Sequence, residues 1–274
     1  MTQPKSIPEL TASLTQVLAQ NTLPLPGQKL GYRLLNRLNT AVRLVVFAQN
    51  PDHGAALVNA LLGANLIPQT TQIPCIELAF GPKEKTTLFV GDQLIATHDG
   101  HRVLSVENSN ITRALLHAPF PCLHQINLLF VPLTDYPKQD NERVDWAQDW
   151  ADIAIWCTTQ FEEKEKVLWS RVRDPLKDNS YLTLTNADEL IAGNALEPRV
   201  AALRCVAEQE FFAFFATAPK MLQTANSPDP QLSKACGIDA LWQAVQKRAA
   251  TGQQADTNNT LLFLKHHNAL ENKP

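Results

Sequence analysis

Nowhere in the 274 residues does an apolar run approach the roughly 20 that a helix needs to cross a bilayer. The longest apolar stretches, 126–133 and 211–218, have the length of strands. Charge of one sign is not in excess either, since 24 Lys and Arg face 27 Asp and Glu for a net of −3. That balance gives no general attraction to nucleic acid or acidic lipid, so neither nucleic-acid binding nor stable membrane insertion is expected. The five cysteines, Cys75, Cys122, Cys157, Cys205 and Cys236, form no Cys-x-x-Cys pair. Scattered in this way they read as reduced packing residues, and no metal site is expected. The opening MTQPKSIPEL lacks a basic start followed by an apolar run. No secretory leader is therefore expected, and a cytoplasmic location is. Internal repeats and low-complexity tracts are also missing. With 45% hydrophobic and 19% charged residues, the composition is that of an ordinary globular protein able to bury a sizeable core.

What is present begins with helical spacing. Leu10, Leu14, Val17 and Leu18 make one stripe over 7–21, and Leu30, Leu34, Leu35 and Leu38 another over 28–39. Leu23-Pro24-Leu25-Pro26-Gly27 breaks them apart. Residues 1–40 thus read as a helical extension ahead of the main domain. Strand and helix signals then alternate. VRLVVFA (42–48) is apolar and too short for a buried helix, and AALVNALLGA (55–64) follows as a helix. Further strands are predicted at 73–80, 86–90, 93–97, 124–131, 152–157, 181–185 and 211–216. Further helices are predicted at about 141–150, 161–176, 195–209 and 238–249. Continuous apolar strands separated by helices indicate an α/β, doubly wound, mostly parallel sheet covered on both faces. Such a sheet places a ligand at the carboxyl ends of its strands, beside the first strand–helix turn, here 48–56. The main domain spans 41–250. Residues 251–274 read as a tail in which polar TGQQADTNN is a flexible link to a short helix.

The segment LVVFAQNPDHGAALVNALLGANLIPQTTQIPCIELAFG (44–81) resembles the opening of a dynamin-family GTPase domain. In that family an apolar strand leads into a glycine-rich phosphate loop, a helix close to SLVNALLG, Leu-Pro, a Pro-Thr-Thr switch and a strand ending in an aromatic and glycine. Here the helix is Leu57-Val58-Asn59-Ala60-Leu61-Leu62-Gly63, then come Leu66-Ile67-Pro68 and Phe80-Gly81. Asp152-Ile153-Ala154-Ile155-Trp156-Cys157 is similar to the strand after the third motif. Leu184-Thr185-Asn186-Ala187-Asp188 is similar to the base-reading Asn-Lys-x-Asp motif. Phe214-Phe215-Ala216-Thr217-Ala218 stands where a strand ending in Ser-Ala belongs. The resemblance implies a P-loop GTPase type of fold over about 40–250.

The chemistry-bearing positions depart from that pattern. A phosphate loop reads G-x-x-x-x-G-K-[ST], with backbone N–H groups cradling phosphates, a lysine on the terminal ones and a hydroxyl on magnesium. The matching stretch is Ala48, Gln49, Asn50, Pro51, Asp52, His53, Gly54 and Ala55, without the lysine or the hydroxyl. No Lys or Arg occurs between Arg43 and Lys83. The switch reads Pro74-Cys75-Ile76 without its metal-binding threonine; Thr70 and Thr71 are nearby but wrongly spaced. The Asp-x-x-Gly motif falls near Val131-Pro132-Leu133-Thr134, and Asp135 is four residues late. Of the base-reading motif, Thr185 and Asn186 replace the asparagine and lysine. Asp188 remains, as a guanine acceptor or as a helix N-cap. At about 1.5–3 kcal/mol per charge-assisted hydrogen bond, losing the lysine and two magnesium ligands removes on the order of 4–9 kcal/mol. That is roughly three to six orders of magnitude in affinity.

The expectation is a catalytically inactive GTPase-like module that holds no cofactor and acts through a protein partner, either a homologous active GTPase or itself. The alternative is a residual GTP/GDP binder or slow GTPase with magnesium and a rebuilt loop. Trp146 and Trp150, four apart on a helix, mark a possible interface if exposed. Asp52-His53 and His98-Asp99-Gly100-His101 read as solvated turns, and His266-His267 as an exposed pair.

Overall fold

The computed structural model describes residues 6–69, 73–105, 110–134, 136–223 and 230–271. Two compact units result, one from residues 42–246 and one from 1–41 with 247–274.

The larger unit is built on β1 (Val42–Ala48), β2 (Ile76–Phe80), β3 (Lys85–Val90), β4 (Gln93–Asp99), β5 (Arg113–Ala118), β6 (Ile126–Pro132), β7 (Ile153–Thr158), β8 (Ser180–Leu184) and β9 (Ala213–Ala216). They form a nine-stranded sheet in the order β4-β3-β5-β2-β6-β1-β7-β8-β9. β6, β1, β7, β8 and β9 run parallel, β2 turns antiparallel against β6, and β5 pairs parallel to β2. β3 pairs antiparallel with both β4 and β5. The mostly parallel α/β sheet is therefore as the apolar runs imply. Strand β5 is an addition that RALLHA does not announce.

Side chains alternate along the buried strands. Val45 and Phe47, Leu129 and Val131, Ala154 and Trp156, and Leu182 and Leu184 join one core. Over this face lie α4 (Pro137–Trp150), α5 (Glu163–Ser170), α6 (Asp174–Lys177) and α8 (Leu196–Glu210), which contribute Val144, Leu168, Trp169, Leu176 and Leu203. α3 (Pro51–Leu62) covers the opposite face, where Gly54 meets Ala48 and Phe130. On that face too, the Tyr181 hydroxyl donates to the carbonyl of Ala244 at 3.0 Å, in α11 (Ile238–Glu271). Short helices α7 (Ala187–Ala192), α9 (Pro219–Gln223) and α10 (Pro230–Ala235) follow the last two strands.

The smaller unit consists of α1 (Ile7–Ala19), α2 (Leu25–Asn39) and the later part of α11. Leu10, Leu14, Leu18, Leu34, Phe263 and Leu264 form its core. A Cβ on Gly31 would stand 2.6 Å from Leu18 and 3.1 Å from Phe263, so glycine is what allows these helices to close. The expected flexible link is corrected here, since TGQQADTNN is helix throughout. Its low propensity is overcome by Thr260, Phe263 and Leu264, which are buried. Hydroxyls of Thr251, Thr257 and Thr260 donate to carbonyls four residues back.

Candidate functional site

Two residues, Gln49 and Asn50, connect the end of β1 to the start of α3. Asn50 is the N-cap, and its side chain accepts the His53 N–H at 3.1 Å. Its carbonyl takes the Gly54 N–H at 3.0 Å. Pro51 fills the first helical position, where a missing N–H costs nothing. The eight-residue turn expected over 48–55 is thus corrected to a two-residue connector followed by helix. The amide hydrogens of His53 and Gly54 are already bonded within the protein.

Gly54 stands at the lysine position of the resemblance. A Cβ there would lie 2.2 Å from the Ala48 Cβ and 2.8 Å from Phe130, distances that no side chain tolerates without movement. Close packing of α3 onto β1 therefore requires glycine at 54. Ala55 beside it is fully buried.

His53 does not lie on a solvated turn: only 5% of it is exposed. Its Nδ1 is 3.4 Å from the Thr185 hydroxyl and its Nε2 is 3.6 Å from a Glu189 carboxylate oxygen. Thr185 also reaches the carbonyl of Thr158 at 3.4 Å. The imidazole links α3 to the loop after β8 and to α7, at the carboxyl ends of the central strands. Burial, and then the nearby Lys220 ammonium, hold its pKa below the ordinary 6.5, so the ring is neutral at pH 7. The Lys220 ammonium sits 3.2 Å from Glu189, and this hydrogen bond holds the Glu189 carboxyl below its usual range. Asp52 is exposed.

Asn186, not Asp188, is the N-cap of α7, and its side chain makes no capping bond. Both keep a buried side-chain oxygen that has no partner among the described residues, as does Gln49. Glu189 and Lys220 escape a reading of the sequence, because their approach to His53 joins segments more than 130 residues apart.

Other motif positions that are described make contacts within the fold. Cys75 is buried, and burial pushes its thiol up to about 12. After β6, the Thr134 N–H and hydroxyl donate to Asp140 at 2.8 and 2.9 Å, which caps the chain entering α4. Thr70, Thr71 and Asp135 lie outside the described residues. His101 pairs with Glu84 at 2.8 Å instead of standing free in solvent. Trp146 is 43% exposed, whereas Trp150 packs partly against the core with the Arg43 guanidinium 5.7 Å over its ring. Both tryptophans line one groove of about 680 Å³ with Cys75, Arg113, Glu142 and Arg143.

No protein-family model and no curated protein matches the sequence. Solved structures do. One chain of an oligomerised bacterial dynamin pair, described as sensing and tethering membranes over long range, superposes with a TM-score of 0.64 at 14% identity. The match covers 95% of this chain and 46% of that one. A second structure of an oligomerised bacterial dynamin pair gives 0.60 at 14% identity, covering 96% and 55%. The chain thus spans about half the length of the dynamins it is similar to. Strand order, covering helices and these superpositions together give it the fold of a dynamin-like P-loop GTPase domain.

Proposed function

We propose that this chain is a pseudo-GTPase, a GTPase-fold module that works by protein contact instead of nucleotide hydrolysis. Gly54 carries the reading: the position that should present an ammonium to phosphate is packed against β1 so closely that no side chain fits. The residues around it do not fit a magnesium triphosphate either. Ala55 and Cys75 offer no side-chain oxygen to a metal, the His53 N–H is bonded to Asn50, and the His53 ring is buried against Thr185. Asp52, Asp188 and Glu189 would add negative charge beside the phosphates. The partner is a homologous GTPase with intact motifs, or a second copy of this chain, and the groove at Trp146 and Trp150 is the contact surface. Likeness to dynamins that form an oligomerised pair supports this choice. Purified chain should release no phosphate from GTP, and affinity purification from its own cells should recover a dynamin-like GTPase. Recovery of chaperones alone, or phosphate release that an active-site variant of a contaminating GTPase cannot explain, would count against the proposal.

One observation favours residual nucleotide binding instead. The Asp188 Oδ1 is buried without a partner among the described residues, and Asp188 holds the position of the base-reading aspartate in the sequence resemblance. Under that reading Asp188→Ala lowers guanosine affinity, whereas under the pseudo-GTPase reading there is no affinity to lower.

A further inference from the structure

The helical unit differs in charge from the rest of the chain. It holds eight of the 24 Lys and Arg but only three of the 27 Asp and Glu, a net of +5, which leaves −8 on the sheet unit. Between α2 and the later part of α11 lies a groove of about 570 Å³. Leu30, Arg33 and Arg37 stand along one wall at i, i+3 and i+7, and Asn259, Leu262 and His266 repeat that spacing on the other. Buried Leu34 and Phe263 make its floor. The apolar crests are open, Leu30 at 45% and Leu262 at 64% exposure. Arg37 is engaged by Asp256 at 3.1 Å. Arg33 is exposed and has no carboxylate in ion-pair range among the described residues.

We propose that this groove docks an amphipathic helix of a partner protein, with acidic residues flanking its apolar stripe. An apolar-floored groove between two helices takes the apolar face of a third helix. The eight residues from Leu30 to Arg37 rise about 10 Å, and the 12 from Asp256 to His267 about 16 Å, so two to three turns of helix fit. Arg33 on the rim, with Lys29 and Lys265 exposed on the same two helices, calls for acidic groups on the occupant. A second copy joined face to face would oppose Arg33, Lys29 and Lys265 to the same residues of its partner. The floor of Leu34 and Phe263 lies below the crests of Leu30 and Leu262, a shape that accepts a ridge. The groove shares no residue with the His53 site, so the inference holds whether or not that site takes nucleotide.

The test uses the full chain and a fluorescein-labelled 16-residue helical peptide with leucines at i, i+3, i+7 and i+10 and glutamates beside them. Its lysine-for-glutamate counterpart and vesicles of phosphatidylglycerol complete the set. Anisotropy should show the glutamate peptide binding with a dissociation constant on the order of 10–100 µM. Arg33→Glu and Leu262→Glu, both on exposed side chains, should each weaken it about tenfold or more with unchanged circular dichroism. Raising salt from about 50 to 300 mM should weaken it as well. The proposal is overturned by any of four results: no binding of the glutamate peptide, equal binding of the lysine peptide, indifference to both substitutions, or capture by vesicles in its place. Self-association that Arg33→Glu abolishes would overturn it too, by assigning the groove to the acidic unit of another copy.

Discussion

Alanine at position 54 is the mildest side chain that probes the packing of α3 on β1. In an open helix, Gly→Ala gains about 0.8–1 kcal/mol of propensity. Here the new methyl would stand 2.2 Å from the Ala48 Cβ and 2.8 Å from the Phe130 ring. The ring edge can turn, but the Ala48 Cβ is fixed to the backbone of a strand paired on both sides. Overpacking of a filled core costs about 1–3 kcal/mol, and two such contacts place Gly54→Ala at the upper end. Net destabilisation of about 1–2 kcal/mol should remain after the propensity gain. In a unit of this size that is a fall of about 2–8 °C in melting temperature. Gly252→Ala is the internal control, since it lies in helix with nothing within 4 Å of its Cβ, and should raise stability slightly. Thermal and urea unfolding followed by circular dichroism would measure both. Gly54→Lys should be at least as damaging and gain no affinity for GTP. A Gly54→Ala protein as stable as the parent, or more so, would refute the close packing of α3 on β1 and with it the reason why no ammonium is presented there.

Other consequences follow from the same contacts. His53 titrates below 6.5 in the folded chain, so the unfolded chain binds its proton first and stability falls as pH drops below about 6.5, by up to about 1.4 kcal/mol per pH unit until the lowered pKa is passed. Urea midpoints at pH 7.5 and 5.5 should diverge more for the parent than for His53→Gln; equal slopes would contradict the burial of the ring. Glu165→Ala should cost about 2–4 kcal/mol, because its carboxylate accepts from the Trp156 indole, the Thr158 hydroxyl and the Glu162 N–H. Chemical denaturation gives that number directly, and a loss under 1 kcal/mol, about the size of an exposed substitution, would show the network to be solvated. Thiol labelling of native protein should reach exposed Cys205 first and leave Cys75 and Cys157 untouched, since both are buried and burial raises both thiol pKa values. Rapid labelling of all five would mean that the core opens.

Apolar runs made the central sheet legible. VRLVVFA and DIAIWC can satisfy their backbone and bury both faces only as inner strands, and their alternation with helices demands parallel crossovers. β5 was not legible, because RALLHA mixes charge and apolar residues without a strand pattern that stands out from its flanks. At the candidate site the sequence showed the missing ammonium but not its cause. Asn50 followed by Pro51 is a helix start in its own right, so aligning the segment with a phosphate loop placed the helix four residues late. The burial of His53 was hidden because its contacts with Thr185 and Glu189 exist only after the sheet forms. Similarly, TGQQADTNN reads as a linker by composition. It is helix because Thr260, Phe263 and Leu264 on the same turns are buried against α1 and α2.

Titration calorimetry of the purified chain with GTP in the presence of magnesium tests the vacancy most directly. With the Gly54 backbone sealed against Ala48 and no lysine at the turn, binding should be undetectable or weaker than about 100 µM. A dissociation constant tighter than that, dependent on magnesium, would contradict it.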